Sequence, residues 1–471
     1  MKRFIIFLFT VIFLLQQATV LPGCANMLPP EGGLRDTLPP LLVKATPAYS
    51  ATNFKGQRLV FVFDEFVDVN NVQQNLLITP LPQAFPDVNN KLRTITVKFR
   101  DTLEANTTYT LNFTNAIKDI NEGNTVKNLT YVFSTGPALD SLTLRGKVIL
   151  AETGKIDSTL IVILHKNPKD SVVVSEKPRY VTGLNATGEF SFKNLPAGKF
   201  YIYALKNEGG SYRYQSAKQL FAFADSGVTA GSSTPITLYA YAEADKPIIT
   251  INTNPTKRVR NEVERLRPVP NTLTGSLDLY DDFTLSFDQP LKDLDTSLVQ
   301  LTADTVFTPI KGYRILLDSL RKKISIRYNW QQDTKYNLIL DKNFAADTLG
   351  RKLLKTDTIV FKTKKLSDYG SLRIRFKNLD LSKNPVLQIL QNDNIVKSVV
   401  LTGNIADIPL INPATYELRI LYDRNKNGKW DPGEFFGKHL QPEIAKPIGR
   451  TVTVKVNWDN EFDIEAPPLT Q

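Results

Sequence analysis

Apolar and polar residues alternate along most of the chain. In TITVKFRD, Ile95, Val97 and Phe99 are interleaved with Thr94, Thr96 and Lys98, and in TYTLNFTN, Tyr109, Leu111 and Phe113 follow the same rule. A period of two sends the two sets to opposite faces of a pleated strand, so these segments predict half-buried strands. Similar short segments, separated by Asn, Asp, Gly and Pro, continue to Ile464. Long stretches with a helical period are missing, which predicts an all-β chain assembled from sandwiches. The exception is TKRVRNEVERL, where Val259, Val263 and Leu266 recur at helical spacing and predict a short helix or linker. Its basic residues read as a solvated helix face.

The N-terminus follows a different rule. Lys2 and Arg3 precede an apolar run from Phe4 to Leu15, and a short polar stretch leads to Cys24, the one cysteine of the chain. The run is shorter than the roughly 20 residues that span a bilayer, and its three parts are those of an export signal. A single thiol makes no internal disulfide, which leaves attachment as its use. Leu21-Pro22-Gly23-Cys24 resembles a bacterial lipobox with an unusual proline, and the resemblance implies lipid on Cys24 and a signal peptide over 1–23. Residues 24–40, rich in Pro and Gly, then read as an extended tether.

The chain also repeats itself. Phe63-Asp64-Glu65 matches Phe287-Asp288-Gln289, NTTYTLNF matches DTKYNLIL, and YVFST matches IVFKT, all at offsets of about 225 residues. GEFSFKNLPAGKFYIYAL, from Gly188, pairs in the same way with IPLINPATYELRILYD, from Ile408. The order is therefore A-B-A′-B′. The boundaries expected are 41–137 and 271–365 for the A units, 140–245 and 366–471 for the B units, and 246–270 for the joint. Two independent halves with no shared core across that joint are expected.

With PPLLVKATPAYSATNF before its first strand and FDEFVD after it, the first A unit resembles bacterial Ig-like domains of the S-layer SbsA type; the second, with FDQPLKD, is a weaker match. Gly188, Phe190, Phe192, Leu195, Pro196, Ala197, Gly198 and Tyr201 give the B unit the look of a carboxypeptidase regulatory-like, transthyretin-related sandwich. The whole arrangement is similar to Ig-like-domain lipoproteins of Bacteroidetes. That resemblance implies a cell-envelope, outer-membrane lipoprotein, with the leaflet left open, and supplies no substrate.

A net charge of +11 suits acidic lipid, acidic polysaccharide or nucleic acid, and export makes nucleic acid the least suitable. The sequence shows no dense Lys/Arg cluster, so the bland reading is a solvated basic surface. Only His165 and His439 are available as imidazole bases, and His165 sits in the apolar strand LIVILHKN, where it reads as a core or edge residue. No HExxH, GxSxG or phosphate loop occurs, so no catalytic residue is assigned and the chain reads as a non-enzyme. The function expected is a membrane-tethered binding, adhesion or scaffolding rod with an envelope protein or glycan as partner. The alternative is an accessory lipoprotein of an outer-membrane assembly or transport machine.

LYDRNKNGKWDPGEFF is the one stretch with metal-ligand spacing. Counting from Asp423, Asn425, Asn427, Lys429, Asp431 and Glu434 fall at positions 3, 5, 7, 9 and 12, with Gly428 at 6, which is the Ca²⁺-loop pattern. Lys429 would offer its carbonyl, and Glu434 would close the shell. The flanks ELRILY and EFFGKHL read as strands, so a bare type I′ hairpin at Asn427-Gly428 is the alternative to a structural Ca²⁺ site.

Overall fold

A computed structural model describes residues 5, 10–11, 36–243, 265–272, 275–303 and 306–468. Cys24, the expected signal peptide apart from residues 5, 10 and 11, and most of the expected tether therefore lie outside the described residues, as does the TKRVRNEVE segment. The described chain is all-β, and its buried apolar residues fall into four main clusters along the sequence. It divides into two compact units, one ending at Asp140 and the other beginning at Ser141. Among the described residues no helix is long and apolar enough to cross a membrane.

In the first unit, β1 (Leu42–Thr46), β2 (Arg58–Phe63), β5 (Asp87–Lys91) and β6 (Thr94–Lys98) form a sheet in the order β1-β2-β6-β5. The second layer contains β4 (Leu77–Thr79), β7 (Thr108–Asn112) and β9 (Thr130–Ser134), ordered β4-β7-β9, while β3 (Val67–Val69) pairs with β8 (Ile117–Asp119). Alternation works as predicted: Leu59, Phe61, Ile95 and Val97 are fully buried and meet Leu111, Tyr131 and Phe133 from the facing layer. Phe61 stands edge-on to Tyr131 with ring centroids 4.9 Å apart, a geometry that suits the ring quadrupoles.

The second unit holds three sandwiches. The first pairs β10 (Leu142–Leu150) with β13 (Glu189–Leu195) and, in parallel, with β17 (Ile236–Ala240). Against it lie β11 (Leu160–His165), β12 (Tyr180–Gly183), β14 (Lys199–Lys206) and β15 (Phe221–Phe223). The last sandwich repeats this plan, with Gly370–Lys377 antiparallel to Ile405–Ile411 and parallel to Asp459–Glu465. Between them, Phe283–Ser286, Arg314–Leu317 and Lys323–Arg327 form part of a sheet equivalent to that of β2, β5 and β6.

The duplication is visible in hydrogen bonds. The Glu104 N–H donates to the Tyr109 hydroxyl at 2.9 Å and the Thr107 N–H to Thr135 Oγ1 at 3.0 Å. In the later copy the Gln331 N–H reaches the Tyr336 hydroxyl and the Thr334 N–H reaches Thr363 Oγ1, each at 3.0 Å. The same corner, a tyrosine and a threonine closing a strand entry, is built twice.

Of TKRVRNEVERL only Arg265 and Leu266 are described; Leu266 stands outside any helix, buried among Leu277, Phe283 and Phe361, with its N–H on the Lys352 carbonyl at 3.0 Å. One expectation is corrected: the halves are not independent. The sandwich of β10–β17 and the last sandwich meet directly: the Ala445 N–H donates to the Ala151 carbonyl at 2.8 Å, and Lys155 pairs with Asp393. Phe435 enters a cage of Tyr203, Phe221 and Phe223, with centroids 5.7, 5.1 and 4.9 Å away. Gly433 and Gly154 allow the approach, because a Cβ on Gly433 would stand 2.7 Å from Tyr241 and one on Gly154 2.2 Å from Pro447.

Candidate metal centre

The strand Ala414–Tyr422 runs out at Tyr422, and the candidate loop begins at the next residue. Asp423 is 1% exposed, and its carboxylate turns back into the loop. Oδ1 accepts the Lys426 N–H at 2.6 Å and the Asn427 N–H at 3.3 Å, and Oδ2 accepts the Gly428 N–H at 2.6 Å. Lys426 (φ 64°) and Gly428 (φ 76°) take left-handed backbone, while Asn427 does not. A type I′ turn needs positive φ at both central residues, so Asn427-Gly428 does not form the bare hairpin.

Asp431 faces the same space. Its Oδ2 accepts the amide N–H groups of Asn425 at 2.8 Å and Asn427 at 2.6 Å. The amide oxygens of Asn425 and Asn427 take the backbone N–H groups of Asn427 and Lys429 at 3.1 and 2.7 Å. Asp423, Asn425, Asn427 and Asp431 are thus brought together. Glu434 is not: its carboxylate is about half exposed and bonds Lys438 Nζ at 2.7 Å. The second flank is also not a strand, since Glu434 and Leu440 form one isolated bridge around a turn at 436–438.

Glu443 is the acid that sequence spacing missed. It is 3% exposed; Oε1 accepts the Arg424 N–H at 2.7 Å and Oε2 the Asp431 N–H at 3.1 Å, while its carbonyl takes the Trp430 indole N–H at 2.7 Å. Burial pushes its carboxyl pKa up, opposed by the Arg424 and Asp431 N–H groups, and the charges of Asp423 and Asp431 push it further up. Only the return of the chain after Leu440 places it there. No pattern in residues 423–434 announces it.

The donor set consists of hard oxygens, which suits Ca²⁺ in chemistry. Among the described residues, no group of three or more His, Cys, Asp or Glu side chains stands in metal-holding geometry. The loop closes on its own N–H groups, and a bound cation would take over amide and carboxylate oxygens that those groups now occupy.

The two histidines lie elsewhere. His165 ends β11, 2% exposed, edge-on to Tyr203, and burial lowers its pKa to about 4, so the ring is neutral core. His439 Nε2 lies 2.7 Å from Asp170 Oδ2 at the junction of the first and last sandwiches of the second unit.

Residues 36–135 match the family model of a bacterial Ig-like domain. Comparison with curated protein sequences returned no match. Similar solved structures include the N-terminal part of the bacterial S-layer protein SbsC, 18% identical, covering 36% of this chain and 40% of that one, with a TM-score of 0.16. The Bacillus anthracis TIE protein is 12% identical over 93% of this chain and 75% of its own, with a TM-score of 0.17. The major pilin subunit of Bacillus cereus is 10% identical over 68% and 99%, with a TM-score of 0.16. Likeness at that level bears on neither arrangement nor activity.

Proposed function

We propose that this all-β chain, which carries a bacterial Ig-like domain at 36–135, is a non-catalytic binding protein of the bacterial envelope, held at a membrane by lipid on Cys24. The observation that carries the reading is sequential: Lys2-Arg3 and an apolar run from Phe4 to Leu15 precede the only cysteine of the chain, and a bacterial Ig-like domain follows after a short Pro/Gly-rich stretch. Several acyl chains on one residue anchor stably, whereas one short chain does not. The Bacteroidetes lipoprotein resemblance and the regulatory-like character of the two B sandwiches belong to the same proposal. Ca²⁺, held by Asp423, Asn425, Asn427, Asp431 and the Lys429 carbonyl, would serve as a structural ion that fixes the loop beside Phe435.

Membrane fractionation of the Cys24→Ala variant tests the anchor. Loss of membrane retention after a high-salt wash is the expected result, and full retention would refute it. Crosslinking in intact cells then separates the binding reading from the assembly-machine alternative, in which an integral barrel protein would be captured.

A further inference from the structure

The outward face of the β1-β2-β6-β5 sheet places like charges opposite one another. Arg58 on β2 is the register partner of Lys98 on β6. Directly opposed like charges on a sheet cost stability, and neither residue forms an ion pair among the described residues. Lys91, at the end of β5, faces Thr94 across the next pairing, on the same side of the pleat as Thr96 and Lys98. The acid opposite Lys98 is Asp87, which pairs with the Arg100 guanidinium; that hydrogen bond first, and then the Arg100 and Lys98 charges, hold its carboxyl below the usual range against its burial.

These cations border a groove of about 850 Å³. Phe66, 44% exposed, forms part of its wall, with the Arg93 guanidinium 5.5 Å from the ring centroid. Thr94, Thr96 and Asn89 add hydroxyl and amide groups between the charges.

The duplicated unit supplies an internal control. RTITVKF at 93–99 corresponds to KKISIRY at 322–328, so Lys98 corresponds to Arg327; Arg327 is the register partner of Arg314 on one side, and on the other Asp282 precedes Phe283, the partner of Ile326. There Arg327 and Asp282 form a 3.0 Å ion pair. Pro290 stands in the place of Phe66, and Leu320 in that of Lys91. Each central cation has one acid and one base beside it, Asp87 and Arg58 about Lys98 and Asp282 and Arg314 about Arg327. The copies differ in that Asp282 forms its ion pair with the central cation whereas Asp87 forms its own with Arg100, and in the aromatic ring of Phe66.

We infer that the Arg58/Lys98 face of the first Ig-like domain is a binding site for an acidic polysaccharide, a glycan chain bearing uronate or sulfate groups. Guanidinium and ammonium groups meet the anions, with Arg58 able to engage a carboxylate or sulfate through two N–H groups, while Thr96 and Asn89 meet hydroxyls and Phe66 covers an apolar ring face. The inference deepens the binding-protein reading and rests on it.

Affinity electrophoresis and calorimetry of the full chain, with polygalacturonate, dextran sulfate and neutral dextran, test it. The expected result is binding to at least one acidic polymer and none to dextran, weakening as salt rises. Arg58→Asp recreates the Asp282 arrangement opposite Lys98, so it should lower affinity about tenfold or more while leaving the melting temperature equal or higher. Lys127→Asp, the same charge change at an exposed site outside the groove, should keep binding. The inference fails if neither acidic polymer binds, if Arg58→Asp binds like the parent, or if Lys127→Asp loses as much. It also fails if phosphatidylglycerol vesicles bind in an Arg58-dependent way and the polymers do not. Each of these outcomes leaves the Cys24 fractionation result untouched, so loss of the glycan site and loss of the envelope reading are separable.

Discussion

The ring of Phe435 stands 5.7 Å from that of Tyr203, at an interplanar angle of 81°, although the two residues belong to different sandwiches. Burying an aromatic ring between two folded bodies couples their stabilities. Phe435→Ala should destabilise the second unit by about 3 kcal/mol, seen as a lower melting temperature. An unchanged melting curve would mean that the cage contributes no coupling.

The same contact predicts the fate of a cut chain. With a protease site engineered between Lys246 and Val263, cleavage should leave one particle on gel filtration, because Phe435, Ala445 and Lys155 hold the first and last sandwiches of the second unit together. Two separated fragments under low salt would contradict the interface.

Gly154 offers a sharper probe of that junction. Its φ of 69° disfavours any side chain, and a Cβ there would meet Pro447 at 2.2 Å. Gly154→Ala should therefore cost about 1–3 kcal/mol, measured by urea denaturation, and should expose the Ala445 amide to hydrogen exchange.

For the loop, Ca²⁺ should raise the melting temperature relative to chelator, with a dissociation constant of about 10⁻⁴ to 10⁻³ M. Asp423→Ala should abolish that difference and also cost about 1–3 kcal/mol without metal, because the Lys426 and Gly428 N–H groups lose their acceptor while Asn427 keeps only that of Asn425. Glu434→Gln should weaken Ca²⁺ binding less than Asp423→Asn does, since Glu434 reaches the loop only by leaving Lys438. Identical melting curves at 10 mM Ca²⁺ and in chelator would remove calcium from the proposal.

His165 predicts a pH dependence. Its folded pKa, about 4, lies below the ordinary 6.5, so between these values the unfolded chain binds the proton and the folded one does not. Stability contributed by the neutral ring is full above pH 6.5 and falls as pH drops toward 4, by on the order of 3 kcal/mol in all. His165→Leu should remove that slope, judged as the difference between the two proteins in chemical denaturation at pH 4.5 and 7.

Much of this architecture was legible in the sequence. The alternation of Ile95, Val97 and Phe99 states which face is buried without reference to any other residue, and the repeated tyrosine corner survives as NTTYTLNF and DTKYNLIL. What depends on register was hidden. Arg58 and Lys98 are far apart in the chain, and only the pairing of β2 with β6 turns scattered cations into a patch. Glu443 lies outside the ligand spacing and reaches Asp431 by tertiary return. Phe435 and Phe436 looked like strand residues because an apolar pair bound for another module has the same local signature as one bound for its own sheet.

The parallel pairing of β10 with β17, repeated by Gly370–Lys377 with Asp459–Glu465, has a mechanical consequence. Each pair joins the first and last strands of its module, so the chain enters beside one end of the ladder and leaves beside the other. Tension along the chain then loads the inter-strand hydrogen bonds of that ladder together, in shear, instead of peeling them off one at a time. A module wired in this way resists pulling far better than a hairpin of equal thermodynamic stability.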